Sequence, residues 1–427
     1  MPRSEFAIHK TTLDSERFKL VREIFLDAQR FCGAARQAFL LQRCGGDPLL
    51  HKQVADLLKH DESEVSVLDR PVVQPVEPSL TVPPTASRAK VARDPVGRYK
   101  LLQVLGEGSS GVTSLAQNPD ARSRRAVVKV VHAKLAATTA DADNAVSRIQ
   151  VDHRSLASLR QHPSPRLLDC ARFERGGLYV ATDFVPGEPI LQYCDRVRAG
   201  VRSRLLLFLD ACEAIAAAHQ CGVIHAGLNP GNAIVRMAGD VPTVMITDFG
   251  VARALHDLLG HRRAWLEARL AHGAVEYLAP EQAADEPRLA EPGSDVYSLG
   301  ALLYELLTGV APFDRFALRR AGMGDFPRIL EEQAVLEPVD RLCELGDRVP
   351  EIAGRRSCSA QELHAQLAGE LGMIPLKALR KSSAARHAGV STLADEVRLF
   401  LDGKPNGAGS GLGERMRRIL GRFRASQ

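Results

Sequence analysis

Membrane-spanning and secretory features are missing from this sequence of 427 residues. No apolar run reaches the roughly 18 residues that a membrane-spanning helix needs. The most apolar helical stretch, residues 298–310, is short and is interrupted by Glu305. Residues 1–18 contain no apolar core of signal-peptide length. We therefore expect a cytoplasmic protein.

Closely spaced cysteines are missing as well. The eight cysteines are scattered, with no CxxC pair and no spacing typical of metal ligands. This pattern predicts free thiols in a reducing compartment rather than a disulfide framework. The cysteines are Cys32, Cys44, Cys170, Cys194, Cys212, Cys221, Cys343 and Cys358.

The sequence also lacks a strong excess of charge, since the net charge of +5 is too small to predict nucleic-acid binding. Most of the excess lies in residues 412–427, which contain five arginines and one glutamate. Apolar residues recur among these arginines at helical spacing, from Leu412 to Phe423. This basic tail is either a solvated end, a helix packed on the rest of the protein, or a contact for an acidic partner or an anionic membrane surface. The last alternative would place the protein at the inner face of the membrane.

The composition, 45% hydrophobic and 25% charged, is typical of a soluble globular protein, and the length allows two or three domains. Residues 1–62 are predicted to be helical, because Phe18, Val21 and Phe25 begin a pattern with helical spacing. Residues 63–97 are rich in proline, which fixes φ and lacks a backbone donor, so they predict an extended linker.

A glycine-rich stretch, Leu105 to Val112, follows an apparent strand. Gly106, Gly108 and Gly111 would let a backbone hairpin lie close over phosphate groups, with its amides turned toward the negative charge. A dinucleotide-binding turn would continue into a helix, but the residues from Val112 onward have the composition of a second strand. The pattern therefore favours a hairpin that covers a nucleotide.

Lys129 stands inside the next apolar strand, Ala126 to Val130. A lysine on an edge strand is the simpler interpretation. Its position after the glycine-rich hairpin favours a lysine that contacts phosphate.

From this point the sequence resembles the protein kinases, in particular the bacterial serine/threonine type, and the motifs of that family follow in order. The segment from His225 to Asn232 replaces the HRDLKxxN catalytic loop, and Asp248-Phe249-Gly250 matches the DFG motif. The remaining motif residues are Glu281 in APE, Asp295 in a helix that braces the catalytic loop, and Arg356, which is expected to pair with Glu281.

The resemblance covers residues 98 to about 372 and implies an α+β, bilobal protein-kinase fold. A small antiparallel β lobe, residues 98–186, would precede a larger helical lobe, residues 187–372. The N-terminal helical segment and a C-terminal extension, residues 373–427, would flank them. Parts of both flanks are similar to segments that accompany bacterial kinase domains.

The catalytic motif of this family is incomplete here. Gly227 replaces the aspartate that accepts the substrate's proton, and Asn229 replaces the lysine that lies near the transferred phosphate. Ala274 replaces the activation-segment threonine that hydrogen-bonds both residues. Because all three members of one hydrogen-bonded unit are changed, we expect phosphotransfer to be lost or very weak.

The residues that the resemblance assigns to nucleotide binding are better preserved. They are the three glycines with Val112, Lys129, and Asp152, which replaces the glutamate that pairs with the lysine. Asn232 and Asp248 correspond to the metal ligands. The resemblance therefore implies binding of ATP and magnesium, weakened by the shorter side chain of Asp152.

The activation segment, residues 251–277, contains no serine or threonine. Ala226 replaces the arginine that often precedes the catalytic aspartate, so phosphorylation is not expected to switch this segment. Its leucines and Trp265 are spaced for an amphipathic helix. A helix that blocks the substrate cleft, a docking surface for a partner and an ordinary loop all remain open.

Three functions follow. The first is a pseudokinase that binds ATP and magnesium and serves as a scaffold or allosteric regulator for an unidentified protein partner. The second is a serine/threonine kinase of low activity, or another transferase that uses the same cleft. The third is an interaction module that binds no nucleotide.

Overall fold

The structure is a computed structural model of the chain. It describes three parts of the chain in detail: scattered residues near the start, the β lobe and the helical lobe. The described residues are 24, 28, 39–44, 47, 50–52, 54–55, 95–108, 111–118, 125–131, 139–159, 164–173, 177–259, 265–267, 269–270, 275–284 and 291–403.

Residues 1–70 form a compact unit of their own. Residues 39–43 are helical, as are 50–52 and 54–55. Asp47 begins the second of these stretches, since its Oδ1 accepts a hydrogen bond of 3.0 Å from the amide of Leu50. The apolar side chains of this unit pack on one another; the buried ones are Ile24, Ala28, Leu40, Cys44, Leu50 and Val54.

The small lobe is a five-stranded antiparallel sheet with one helix, in agreement with the antiparallel β lobe that the resemblance implies. Its strands lie in the order β1-β2-β3-β5-β4. Val131 of β3 and Val180 of β5 pack against the inner side of helix α1, which contributes Ala145 and Ile149. The elements are β1 (Lys100–Gly108), β2 (Gly111–Gln117), β3 (Arg125–Val131), α1 (Thr139–Ala157), β4 (Leu167–Phe173) and β5 (Gly177–Asp183).

The first part of the helical lobe follows the connection at residues 184–187. A short three-stranded sheet has the order β6-β7-β8. The loop before β7 contains residues 225–232, and the loop after β8 contains Asp248. The elements are β6 (Glu188–Pro189), α2 (Ile190–Arg196), α3 (Val201–Gln220), β7 (Ala233–Ala238), β8 (Val241–Ile246) and α4 (Val251–Leu259).

The second part of the helical lobe is built around helix α6, which is buried on nearly all sides. A helix that is apolar all round belongs in the centre of a domain. Helix α6 begins with Pro292 in its first turn and ends at Gly309, whose φ of 80° suits glycine. The elements are α5 (Pro280–Ala283), α6 (Pro292–Thr308), α7 (Arg315–Glu332), α8 (Pro338–Leu345), α9 (Val349–Gly354), α10 (Ala360–Leu367), α11 (Glu370–Ala378) and α12 (Val390–Leu401).

The helical lobe continues past residue 372, where the sequence placed its end. Helix α11 crosses that position and packs on α6, and α12 packs on α3. Buried side chains of α11 and α12, among them Leu371, Ile374 and Leu393, belong to the main core of the lobe. Residues 373–401 therefore complete this lobe.

The partner of Glu281 is Arg386, and the pairing predicted for Arg356 is wrong. The Arg386 guanidinium donates to both carboxylate oxygens of Glu281, at 2.6 and 2.7 Å, and both side chains are buried. Although burial opposes ionisation, the hydrogen bonds and charge of Arg386 hold the pKa of Glu281 below its usual range. Arg356 instead donates to the backbone carbonyls of Leu307 and Ile352 at the end of α6 and in α9.

No helix in the described part of the chain is long and apolar enough to cross a membrane. The predicted linker up to residue 94 and the basic tail, residues 412–427, lie outside the described residues.

Replacing Arg386 with methionine should destabilise the protein by about 3–5 kcal/mol, because the Glu281 carboxylate would stay buried without its cation. Urea denaturation at neutral pH measures this difference. Arg398→Met is the matched control, since the ion pair of Arg398 with Glu213 is exposed and should contribute at most about 1 kcal/mol. Equal unfolding midpoints for the two variants would contradict a structural role for the Arg386–Glu281 pair.

Candidate functional site

Asp295 of α6 holds the backbone of the loop between α3 and β7. Its buried carboxylate accepts hydrogen bonds from the amides of His225, at 2.9 Å, and Ala226, at 2.8 Å. The His219 ring contacts the same carboxylate at 2.8 Å. Ala226 has a φ of 57°, which a residue with a side chain adopts only where its surroundings impose it. Asp295 thus fixes the backbone of this loop.

His225 joins this loop to the segment after β8. Its Nε2 lies 2.9 Å from the carbonyl oxygen of Thr247, and its Nδ1 lies 3.3 Å from the amide of Gly227. The ring also packs on Phe249, with 4.9 Å between centroids. Burial lowers the pKa of His225. A neutral ring that donates from Nε2 and accepts at Nδ1 satisfies both contacts.

Gly227 occupies the position of the catalytic aspartate, and other side chains fill the space beside it. A Cβ atom placed on Gly227 would lie 2.7 Å from Cβ of Ala252 and 3.6 Å from Nη1 of Arg269. Contacts below 3.0 Å force a neighbour to move. The helix after the DFG motif therefore closes the space that the catalytic carboxylate would need.

The side chain of Asn229 forms hydrogen bonds with the backbone of its own loop. Its Oδ1 accepts from the amide of Gly231 at 2.9 Å, and its Nδ2 donates to the carbonyl of Gly227 at 3.2 Å. In this way it caps the short turn Pro230–Asn232. Asn232 donates to the same carbonyl at 3.2 Å. The neutral amide of Asn229 cannot supply the positive charge of the lysine that it replaces.

Lys129 pairs with Asp248, and the predicted pair of Lys129 with Asp152 is not formed. Lys129 Nζ lies 2.5 Å from Oδ2 of Asp248. Asp152 is buried, its Oδ2 has no hydrogen-bond partner among the described residues, and that atom lies 3.0 Å from the position of a Cβ on Gly250. Burial raises the pKa of Asp152, although Arg253 and Arg148 oppose this effect.

The physical reason for this exchange of partners is the helix that begins next to Gly250. Helix α4 packs against α1 and is tied to it by an ion pair of 2.7 Å between Arg148 and Asp257. Asp152 on α1 therefore faces the backbone of Gly250. Aspartate is also about one methylene shorter than the glutamate of the family, so its reach toward Lys129 is smaller.

The first part of the activation segment forms a packed helix, α4, over residues Val251–Leu259, as its apolar spacing predicts. Val251, Leu255 and Leu258 of α4 are buried together with residues of α1, β5 and α7. Residues 265–267 are helical as well, and Trp265 is fully buried in the same cluster. One apolar core thus joins this segment to both lobes.

The glycine-rich hairpin lies where the sequence placed it. Gly106 pairs with Thr113 and Gly108 with Gly111 across β1 and β2. Gly111 has a φ of 136°, and a Cβ on it would lie 1.8 Å from the carbonyl oxygen of Val130, so only glycine fits. Val112 follows directly and pairs with Val130 of β3. The hairpin is thereby held against the strand that carries Lys129.

The residues present fit one magnesium ion bound together with a nucleotide. Asp248, which has a φ of 65°, offers a carboxylate, and Asn232 offers an amide oxygen. Thr247, the residue before Asp248, links the two segments, because its amide donates to the carbonyl of Asn232 at 2.9 Å. Magnesium is usually held by one or two carboxylates and by substrate phosphates rather than by a complete protein cage. Among the described residues no group of three or more His, Cys, Asp or Glu could hold a metal, so the phosphates would have to complete the site.

Sequence reasoning missed Ala252, Arg269 and Arg386. Ala252 and Arg269 belong to the activation segment, whose apolar spacing predicts an amphipathic helix. Spacing alone does not show that this helix lies beside Gly227. Arg356 precedes α10 and Arg386 precedes α12, and only the tertiary structure decides which of them reaches Glu281. Ala274 lies outside the described residues.

Comparisons with known proteins agree with this architecture. The family model described as the protein kinase domain matches residues 99–341, which is more than half of the chain. The serine/threonine-protein kinase PknB of Mycolicibacterium smegmatis is 32% identical over 309 residues, which are 71% of this chain and 43% of that protein. PknB of Mycobacterium tuberculosis is 30% identical over 314 residues, 72% of this chain and 44% of that protein. A probable PknB of Lactococcus lactis is 30% identical over 220 residues, 51% of this chain and 32% of that protein.

The chain belongs to the protein kinase family. Its relatives in these comparisons are bacterial serine/threonine kinases, and the chain spans less than half of their length.

Replacing Asp152 with asparagine should stabilise the protein at pH 7. Because the folded-state pKa of Asp152 is raised, its stabilising contribution is complete at low pH and is lost as the pH rises through that pKa. Thermal unfolding followed from neutral pH down to about pH 4, the ordinary carboxyl range, should show the difference from wild type shrinking.

Asp257→Asn is the control for this experiment. The pKa of Asp257 is lowered, since its bonds to His256 and Arg148 outweigh its burial, so this variant should lose stability at neutral pH. A loss of stability in Asp152→Asn at pH 7 would instead indicate that Asp152 pairs with Lys129.

Proposed function

We propose that this protein is a pseudokinase that binds ATP and magnesium in the cleft of its kinase fold and acts as a signalling scaffold or an allosteric regulator. The observation that carries the proposal is the site of Gly227. The catalytic carboxylate is missing there, and Cβ of Ala252 lies 2.7 Å from where its Cβ would be.

The missing carboxylate removes a general base. A positioned base contributes roughly 10²- to 10⁴-fold to a rate, and no other acidic residue lies between His225 and Asn232. Asn229, bonded to the loop itself, cannot hold the transferred phosphate as a lysine would. Loss of both groups leaves positioning and metal as the only contributions to catalysis.

The nucleotide-binding residues support retention of ATP. Lys129 and Asp248 contact one another beside the hairpin of Gly106, Gly108 and Gly111. Lys129 would bind phosphate oxygens, while Asp248 and Asn232 would hold magnesium, which neutralises phosphate charge when bound. Binding requires Lys129 to give up part of its contact with Asp248.

The second candidate function is a serine/threonine kinase of low activity. It is favoured by the presence of Lys129, Asn232 and Asp248 together and by relatives whose names describe serine/threonine kinases. Phosphoryl transfer has a loose transition state that needs little covalent help, so weak activity without the aspartate is chemically feasible.

ATP with magnesium should raise the melting temperature of the full-length chain, because a ligand that binds only the folded state stabilises it by mass action. Lys129→Met and Asp248→Asn should each abolish the shift. Thermal-shift titration and calorimetry, with and without magnesium, measure the effect. The absence of a shift in wild type at millimolar ATP would favour an interaction module that binds no nucleotide.

Radiolabel transfer from ATP to the protein itself or to generic substrates should be negligible. Gly227→Asp alone should restore little, because the new Cβ would meet Ala252 and the lysine and threonine partners are absent. The triple change Gly227→Asp, Asn229→Lys, Ala274→Thr, with Ala252→Gly to make room, should restore more. Robust wild-type transfer that Asp248→Asn abolishes would favour the low-activity kinase.

A further inference from the structure

Arg269 of the activation segment is a buried cation without a described hydrogen-bond partner for its Nε atom. Its side chain is 6% exposed, and its guanidinium lies over the Trp265 ring, 5.7 Å from the centroid. A buried guanidinium usually satisfies its donors on carbonyl or carboxylate oxygens. Arg386 shows this behaviour in the same lobe, with both ends of its fork on Glu281.

The guanidinium is directed at the catalytic loop. Its Nη1 lies 3.6 Å from the position of a Cβ on Gly227. The carbonyl of Gly227 in turn accepts from Nδ2 of Asn232, one of the two candidate metal ligands, at 3.2 Å. The positive charge of Arg269 therefore lies beside the position where the family has a negative one, next to the residue whose carbonyl binds Asn232.

Among the described residues no hydrogen bond or ion pair joins Arg269 to a carboxylate, although the charge of Glu276 acts on it. Asp248 is paired with Lys129. Glu276 is buried and lies 4.0 Å from Arg315. Burial raises its pKa, although the charges of Arg315, Arg319 and Arg269 oppose this effect. Burial lowers the pKa of Arg269 to about 10, so the guanidinium stays charged at neutral pH.

The loss of the catalytic residues changes which charged groups lie near the site. Gly227 and Asn229 remove one negative and one positive group from the loop, and the neutral ring of His225 adds none. Arg269 supplies a cation again, but from the activation segment. A cation in that place suits an anion such as a phosphate group, for which guanidinium has a matching set of donors.

We propose that Arg269 binds the terminal phosphate of a nucleoside triphosphate in the cleft and makes the protein prefer triphosphate over diphosphate. The inference rests on the proposed binding of nucleotide. Because Arg269 packs on Trp265, occupation of the site by a triphosphate is transmitted directly to the activation segment. The protein then reads the phosphorylation state of the nucleotide without cleaving it.

Calorimetry on the full-length chain with magnesium and ATP, ADP or adenosine tests the preference. Wild type should bind ATP at least about tenfold more tightly than ADP, the value of one charge-assisted contact. Arg269→Gln should bind the two nucleotides about equally, and Arg269→Lys should keep part of the preference. Arg98→Gln is the control, because Arg98 also lies over an aromatic ring, Tyr99, at 5.6 Å, but is half-exposed and forms its ion pair with Asp169 of β4.

Trp265 provides a second readout, since it is the single tryptophan of the sequence. ATP should change its fluorescence in wild type and not in Arg269→Gln, while ADP should have little effect in either. Inorganic phosphate is the probe for a free anion. If it saturates the fluorescence change at concentrations as low as ATP does, the site takes free phosphate and the assignment to a nucleotide is wrong.

The outcomes separate this inference from the proposed function. Failure of ATP, ADP and adenosine to bind would contradict nucleotide binding itself. Binding of all three with no preference for ATP, or a preference that survives Arg269→Gln, would contradict the role of Arg269 alone. If Arg269→Gln fails to fold, Gly227→Asp with Ala252→Gly serves instead. Its new carboxylate should pair with Arg269 and lower the preference for ATP, and an unchanged preference would overturn the inference.

Discussion

The fold of the site depends on one buried carboxylate, that of Asp295. It is fully buried, and its oxygens accept from the amides of His225 and Ala226 and contact His219. A buried charge must be satisfied in this way, so the loop backbone cannot relax without a large cost. The side chain at position 227 takes no part in these bonds. The frame of a kinase active site can therefore persist after its catalytic residue has been lost.

Residues of the activation segment fill the space beside Gly227 that the catalytic side chain would need. Helix α4 begins next to Gly250, fills the space at Gly227 with Ala252, and holds α1 by the Arg148–Asp257 pair. Lys129 consequently pairs with Asp248, while Asp152 faces backbone. These features form one connected arrangement, because moving α4 would change all of them together. Residues 251–277 contain no serine or threonine, so phosphorylation of these residue types cannot act on this helix directly.

Much of the fold could be predicted from the sequence, because the motifs are local and occur in order. The five-stranded sheet, the hairpin of Gly106 to Gly111 and the loop above Asp295 follow from short stretches whose structure depends on neighbouring residues. The ion-pair partners of individual side chains were harder to predict. Lys129 had two aspartates within reach, and the choice depended on where α4 packs. The choice between Arg356 and Arg386 depended on the end of the lobe, which tertiary packing decides.

The distance in sequence between Glu281 and Arg386, 105 residues, has a consequence for how the protein is made. Synthesis proceeds from the N-terminus, and domains generally fold as units during it. The end of the activation segment cannot acquire its arginine until nearly the whole helical lobe has been synthesised, and α12, which packs on α3, follows later still. While the ribosome is still adding these residues, Glu281 and the apolar faces of α3 and α6 lack their final partners. The nascent chain is therefore exposed to chaperones and proteases over its last third, although its β lobe has already been completed.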